Sequence, residues 1–79
     1  MYYVYILQSQ KYLSYYVGYT NNLVSRLKKH NQKQVLYTSR RVPYMLVWYC
    51  AFSDKQKAIK FEKYLKQGSG SAFYRKRLV

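Results

Sequence analysis

Five residues carry most of the chemistry in this chain: Tyr5, Tyr16, Arg26, His30 and Glu62. Asp54 and Glu62 are its two acids, against 15 Lys and Arg, for a formal net charge of +13. A carboxylate within the apolar arc of a helix, in a protein that attracts anions, suits a hard divalent cation. Oxygen donors favour Mg²⁺ or Mn²⁺, and one carboxylate can suffice where water and phosphate fill the remaining positions. Such an ion polarises phosphate and neutralises charge on a leaving oxygen. Arg26 can pair bidentately with phosphate oxygens and stabilise the transition state. A phenol, with an ordinary pKa of ~10, becomes a usable general base when nearby cations favour its phenolate. Together these groups compose a phosphodiester-cleaving site. Each has a plainer reading: the tyrosines as packing aromatics, Arg26 as a stem laid on the core, His30 as a satisfied polar group. Glu62 could equally form a partly buried ion pair with Arg26 or a lysine, which contributes little once desolvation is counted.

The elements that hold these residues follow from local pattern. Tyr2 to Gln8 reads as a strand, with Tyr3, Tyr5 and Leu7 on one face and Val4 and Ile6 on the other. Ser9 to Ser14 makes a hairpin connection into a second strand, Tyr15 to Tyr19, where Gly18 marks a bulge or a close backbone approach. Thr20-Asn21-Asn22 supplies helix caps ahead of a helix from Leu23 to Asn31. Leu23, Val24 and Leu27 form its buried stripe, with Arg26 and His30 along one flank at i and i+4. Gln32 to Arg41 is polar, basic and loop-like. Tyr44 to Phe52 is a nearly continuous apolar run, read as the central or most buried strand. Ser53 and Gln56 form a capping box for a helix reaching about Gln67. Gly68 to Ser71 breaks that helix, and Ala72 to Val79 forms a short basic third one. The order is β-β-α-β-α-α, a three-stranded sheet with helices packed on it.

Seventy-nine residues are read as one domain, 1–79, with a thin core. Cys50 is the sole cysteine, so no intramolecular disulfide can form. The expectation is a cytoplasmic protein: the start of the chain lacks a secretory pattern and no apolar stretch approaches the ~20 residues that span a bilayer. The charge favours polyanions, nucleic acid ahead of an anionic membrane surface.

Tyr3-Val4-Tyr5 and Tyr16-Val17-Gly18, followed by Arg26, His30 and Glu62, resemble the GIY-YIG nuclease superfamily. The likeness is closest to small stand-alone members related to the N-terminal nuclease domain of the excision-repair subunit UvrC. It covers nearly the whole chain, and its specificity lies in five pieces in the right order and spacing. The resemblance implies an α+β fold, a central three-stranded antiparallel sheet flanked by helices. Tyr5 and Tyr16 match the two signature tyrosines, one of which is general base toward a metal-associated water; which one stays open. Arg26 matches the arginine on the scissile phosphate, His30 a histidine found in many members, and Glu62 the sole protein ligand of one divalent ion. Three positions depart: Tyr3 replaces the first signature glycine, Tyr19 stands where UvrC-like members have lysine, and Gly68 to Ser71 replaces an asparagine region.

The expected function is a metal-dependent endonuclease acting on DNA in repair or processing; the alternative is a non-catalytic nucleic-acid-binding module on a nuclease scaffold. RNA stays open as substrate, since nothing reads or avoids a 2′-hydroxyl. Lys28, Lys29, Lys33, Arg40, Arg41, Lys66, Arg75, Lys76 and Arg77 are the expected phosphate-tracking surface. So small a chain has no helix or ribbon to spare for reading several base pairs. Recognition is expected by shape, at flaps, branches and single-strand junctions, or through a protein partner or homodimer, with no membrane involved.

Overall fold

A computed structural model describes residues 1–79. Its strands are β1 (Tyr2–Ser9), β2 (Tyr15–Thr20) and β3 (Tyr44–Phe52); its helices are α1 (Leu23–Asn31), α2 (Lys55–Lys66) and α3 (Gly68–Arg77). The fold is α+β in the order β-β-α-β-α-α, with one antiparallel sheet ordered β2-β1-β3. No helix is long and apolar enough to cross a membrane.

The first strand, not the third, lies in the middle. Val4, Tyr5, Ile6 and Leu7 are all buried, whereas β3 exposes Met45, Tyr49 and Ala51. The register of β3 slips once: Ile6 pairs with Trp48 but Leu7 with Leu46, leaving Val47 as an extra residue. Such a bulge breaks the two-residue alternation of an ordinary half-buried strand. The run looks continuous, although the strand is an edge, because the residues it exposes are themselves apolar.

The two faces of β1 carry separate cores. Val4 and Ile6 pack with Val17, Ala58, Leu65 and Tyr74, joining the sheet to α2 and α3. Tyr5, Leu7 and Tyr44 form a second cluster under Leu23 and Leu27 of α1. That is the face division the strand alternation predicts.

Asn22 caps α1, its side chain accepting from Ser25 N at 3.0 Å. The buried line of α1 is Leu23, Leu27 and His30, spaced i, i+4, i+7; Val24 is 69% exposed and lies outside it. One narrow line suffices because α1 covers only the Tyr5 cluster. Asn31 ends the helix by bonding both backbone groups of Tyr44: Tyr44 N donates to Oδ1 at 2.7 Å, and Nδ2 donates to Tyr44 O at 3.1 Å.

The cap of α2 is Asp54, not Ser53: Gln56 N donates to its Oδ1 at 2.9 Å. A carboxylate here bonds the free amide and also complements the positive end of the helix. One of the two acids is thus structural. The break after α2 is confined to Gln67, whose backbone is extended, and the Gly-Ser run begins α3. Gly70 makes this possible, since a Cβ there would strike the Tyr64 carbonyl.

Candidate active site

Gly18 sits directly opposite Tyr5 in the β1–β2 register, and a Cβ on it would collide with the Tyr5 phenol. The glycine is therefore a seat for the ring, which comes too close to the β2 backbone for any side chain at that position. Tyr16, two residues earlier on the same face, has its ring centre 6.5 Å from that of Tyr5. From α1 come Arg26 and His30, one turn apart. The structure brings these four side chains together.

Their hydrogen bonds have a direction. Thr38 Oγ1 donates to the Val35 carbonyl at 3.3 Å, so its lone pairs face the imidazole, and His30 Nδ1 lies 2.7 Å away. Nδ1 therefore carries the hydrogen and Nε2 is left as an acceptor. The Tyr5 hydroxyl, 2.9 Å from Nε2, is its donor. Arg26 Nε–H donates to the same phenol oxygen at 3.4 Å. Carbonyl, threonine, histidine, tyrosine and arginine thus form one chain of bonds, and no buried side-chain polar atom lacks a partner.

Burial dominates the electrostatics. His30 is fully buried, and desolvation, helped by the Arg26 charge, lowers its pKa to about 4. It is a neutral acceptor at pH 7. Burial also raises the Tyr5 pKa; the Arg26 hydrogen bond opposes this, and the charges of Tyr16 and Glu62 add to it. The abundance of lysine and arginine would favour a phenolate, but the interior outweighs the cations and Tyr5 rests as a neutral phenol.

Glu62 approaches from α2, which packs on the other face of the sheet. Its charge is felt at Tyr5, and Lys66 lies between it and Tyr16. The Lys66 ammonium is 2.9 Å from Glu62 Oε2 and 5.6 Å from the centre of the Tyr16 ring. Of the pairings open to Glu62, the lysine one is observed, as an i, i+4 contact. No other protein donor bonds the carboxylate, which is largely buried yet reachable. No cluster of three or more His, Cys, Asp or Glu exists, and both nitrogens of His30 are engaged. The donor set fits an ion held by one carboxylate with water and phosphate, since Mg²⁺ accepts such sites. Lys66 is half-exposed and can swing away.

The remaining basic residues divide into groups. Lys29 lines a cleft of about 410 Å³ with Arg26, Asn22 and Tyr19, and Lys28 borders the next hollow. Arg40 and Arg41 line another, with Tyr12 and Tyr37. Arg75 lies against the Tyr15 and Tyr74 rings at 5.7 and 5.8 Å. Lys33, Lys76 and Arg77 are exposed. Lys66 is paired to Glu62 and is not simply a free phosphate contact. Sequence reasoning missed Thr38, which a polar loop gives no reason to single out; the short 3₁₀ turn Leu36–Thr38 buries it. It also missed Tyr37, whose ring is 5.6 Å from that of Tyr16.

Residues 1–76 match the GIY-YIG catalytic domain. The chain belongs to the GIY-YIG family. Curated relatives that match it bear the name UPF0213. One from Clostridium perfringens is 44% identical over 68 residues, covering 85% of this chain and 72% of that one. Another from Bacillus licheniformis is 46% identical over 55 residues, covering 68% of this chain and 57% of that one. This chain thus spans little more than half the length of the latter relative. The solution structure of a UPF0213 protein from Bacillus halodurans superposes with a TM-score of 0.58 at 32% identity, over 99% of this chain and 87% of that one. GIY-YIG is a nuclease superfamily whose members generally use divalent metal ions, and a nuclease domain implies a nucleic-acid substrate.

Proposed function

We propose that residues 1–79 act as one nuclease domain, a divalent-metal-dependent endonuclease that hydrolyses DNA phosphodiester bonds in repair or processing. The observation that carries this reading is the Tyr5 hydroxyl, bonded at once to a neutral imidazole and to a guanidinium. Arg26 binds the scissile phosphate. Tyr5 takes a proton from the attacking water while its own proton passes to His30 Nε2, so that no free phenolate is required. The hydroxide so formed attacks phosphorus, the bond to the leaving oxygen breaks, and that oxygen takes a proton from solvent to leave as a hydroxyl. The phosphate on Arg26 also offsets the charge that helps depress His30, raising its basicity when substrate is present. Thr38 holds the resulting imidazolium through Nδ1–H, and the proton then leaves to solvent. Glu62 would hold the divalent ion, Mg²⁺ or Mn²⁺, which when bound supplies neutralisation of charge on the leaving oxygen. The Tyr16 hydroxyl makes no hydrogen bond to the protein and is free for phosphate or water.

Selectivity is for nucleic-acid shape over sequence: α1 and α2 pack on the sheet and α3 on α2, so no helix projects to enter a groove. Purified protein, incubated with flap and junction DNA in Mg²⁺ or Mn²⁺, should nick it. Glu62→Ala should abolish nicking with an unchanged circular-dichroism spectrum. Wild-type cleavage persisting in EDTA would contradict the proposal, whereas tight, salt-sensitive binding without product in either metal would favour the non-catalytic binding module.

A further inference from the structure

Tyr37 separates two hollows. On one side, a hollow of about 390 Å³ is bounded by Tyr15, Tyr16, Tyr37 and Lys66, and so opens onto the Glu62 pair. On the other, a hollow of about 590 Å³ is bounded by Tyr12, Leu36, Tyr37, Arg40 and Arg41. The second lies outside the catalytic cluster, and its walls are unusual. Leu36 is 90% exposed, Tyr37 72% and Tyr12 59%, in a chain that buries few apolar side chains fully. Exposed apolar groups gathered at one place mark a contact surface. Arg41 is steadied by a 3.3 Å bond from Nη1 to Ser14 Oγ, which leaves its other donors free.

We propose that this second hollow is a subsite for an unpaired nucleotide, entered by a single strand that leaves the cleavage site over Tyr37. The inference rests on the nuclease reading above and deepens it. Two phenol rings offer π-faces for a base, and stacking tolerates every base. Two guanidiniums offer charge-assisted bonds to the phosphate that follows. An aromatic wall beside a cationic one is the pattern of single-strand recognition; a rigid duplex hides its base faces and leaves the rings unused. The hollow at Arg26, Lys29 and Asn22 differs in kind, since Tyr19 is its one hydrophobic wall residue. It suits a sugar–phosphate backbone. The two flanks of the site therefore favour a duplex on the α1 side and an unpaired strand on the Tyr37 side.

The test is equilibrium binding by fluorescence anisotropy in EDTA, where cleavage plays no part. The probes are labelled oligothymidine, the same oligomer with abasic residues, and a blunt duplex. Tyr37→Ala should weaken oligothymidine binding about ten-fold, within the range for loss of one stacked base. Its duplex and abasic affinities should stay within about two-fold, because stacking contributes nothing there. Tyr37→Phe, which keeps the ring, should bind as wild type. Arg40→Gln with Arg41→Gln should weaken oligothymidine and the abasic oligomer alike, with a shallower salt dependence. Equal loss on all three probes for Tyr37→Ala, no loss on any, or equal affinity of the unmutated protein for oligothymidine and the abasic oligomer would each overturn the subsite. None of these results bears on whether Mg²⁺-dependent nicking occurs, so the two readings fail separately.

Discussion

Acid should loosen this protein through its one imidazole. His30 is neutral and fully buried in the folded chain, with a pKa lowered to about 4 from 6.5. Above pH 6.5 neither state binds the extra proton and stability is unaffected. Between 6.5 and 4 the unfolded imidazole takes a proton that the folded one refuses, so stability falls with pH; the loss is complete below 4. At 1.36 kcal/mol per pKa unit the full loss is about 3 kcal/mol, a large share of the ~5–15 kcal/mol typical of a domain. Because the chain has a single histidine, its ring signals can be followed by NMR without ambiguity while urea midpoints are measured over the same range. His30→Gln should flatten the pH dependence relative to wild type. Ring nitrogen shifts should show the hydrogen on Nδ1. Titration near 6.5, a hydrogen on Nε2, or parallel pH curves for wild type and variant would refute the bonding scheme and with it the proton path through Tyr5.

Other outcomes follow from the same contacts. Thr38→Val removes the acceptor of the Nδ1 hydrogen and should cost about 1–3 kcal/mol in a urea titration, with Thr38→Ser recovering most of it. Tyr5→Phe should keep the fold by circular dichroism but lower the nicking rate by about 10²–10⁴. Gly18→Ala sets a methyl against the Tyr5 ring and should destabilise by about 1–3 kcal/mol; a variant as stable and active as wild type would show that the ring is not seated there. Lys66→Ala should change stability by less than about 0.5 kcal/mol yet strengthen Mn²⁺ binding, read by water-proton relaxation, because the cation competing for Glu62 is gone.

Local pattern was sufficient for the parts of the fold ruled by one element at a time. Alternation along β1 divided Tyr5 and Leu7 from Val4 and Ile6, and the i, i+4 spacing of Arg26 and His30 set both on the flank that meets Tyr5. What escaped depended on partners distant in the chain. Apolar residues at the exposed positions Met45, Tyr49 and Ala51 disguised an edge strand as a central one. Gly70 looked like part of a helix breaker until Tyr64 was seen to demand a residue without a side chain beside it. Thr38 sits eight residues beyond His30 in a stretch without periodicity, and only the 3₁₀ turn reveals it as the group that sets the imidazole's tautomer. Counting cations suggested an acidified phenol; burial, which no count contains, reversed the sign.

The two hydrogen bonds between the Asn31 side chain and the Tyr44 backbone mean that a carboxamide takes the seat a neighbouring peptide would hold on the open border of β3. Helix and sheet are clasped there, one residue past His30, so the imidazole inherits the rigidity of both. The same clasp stoppers that border at its Tyr44 end. Another extended chain seeking to add itself to β3 would meet a blocked position at once and could find ladder partners only toward Phe52.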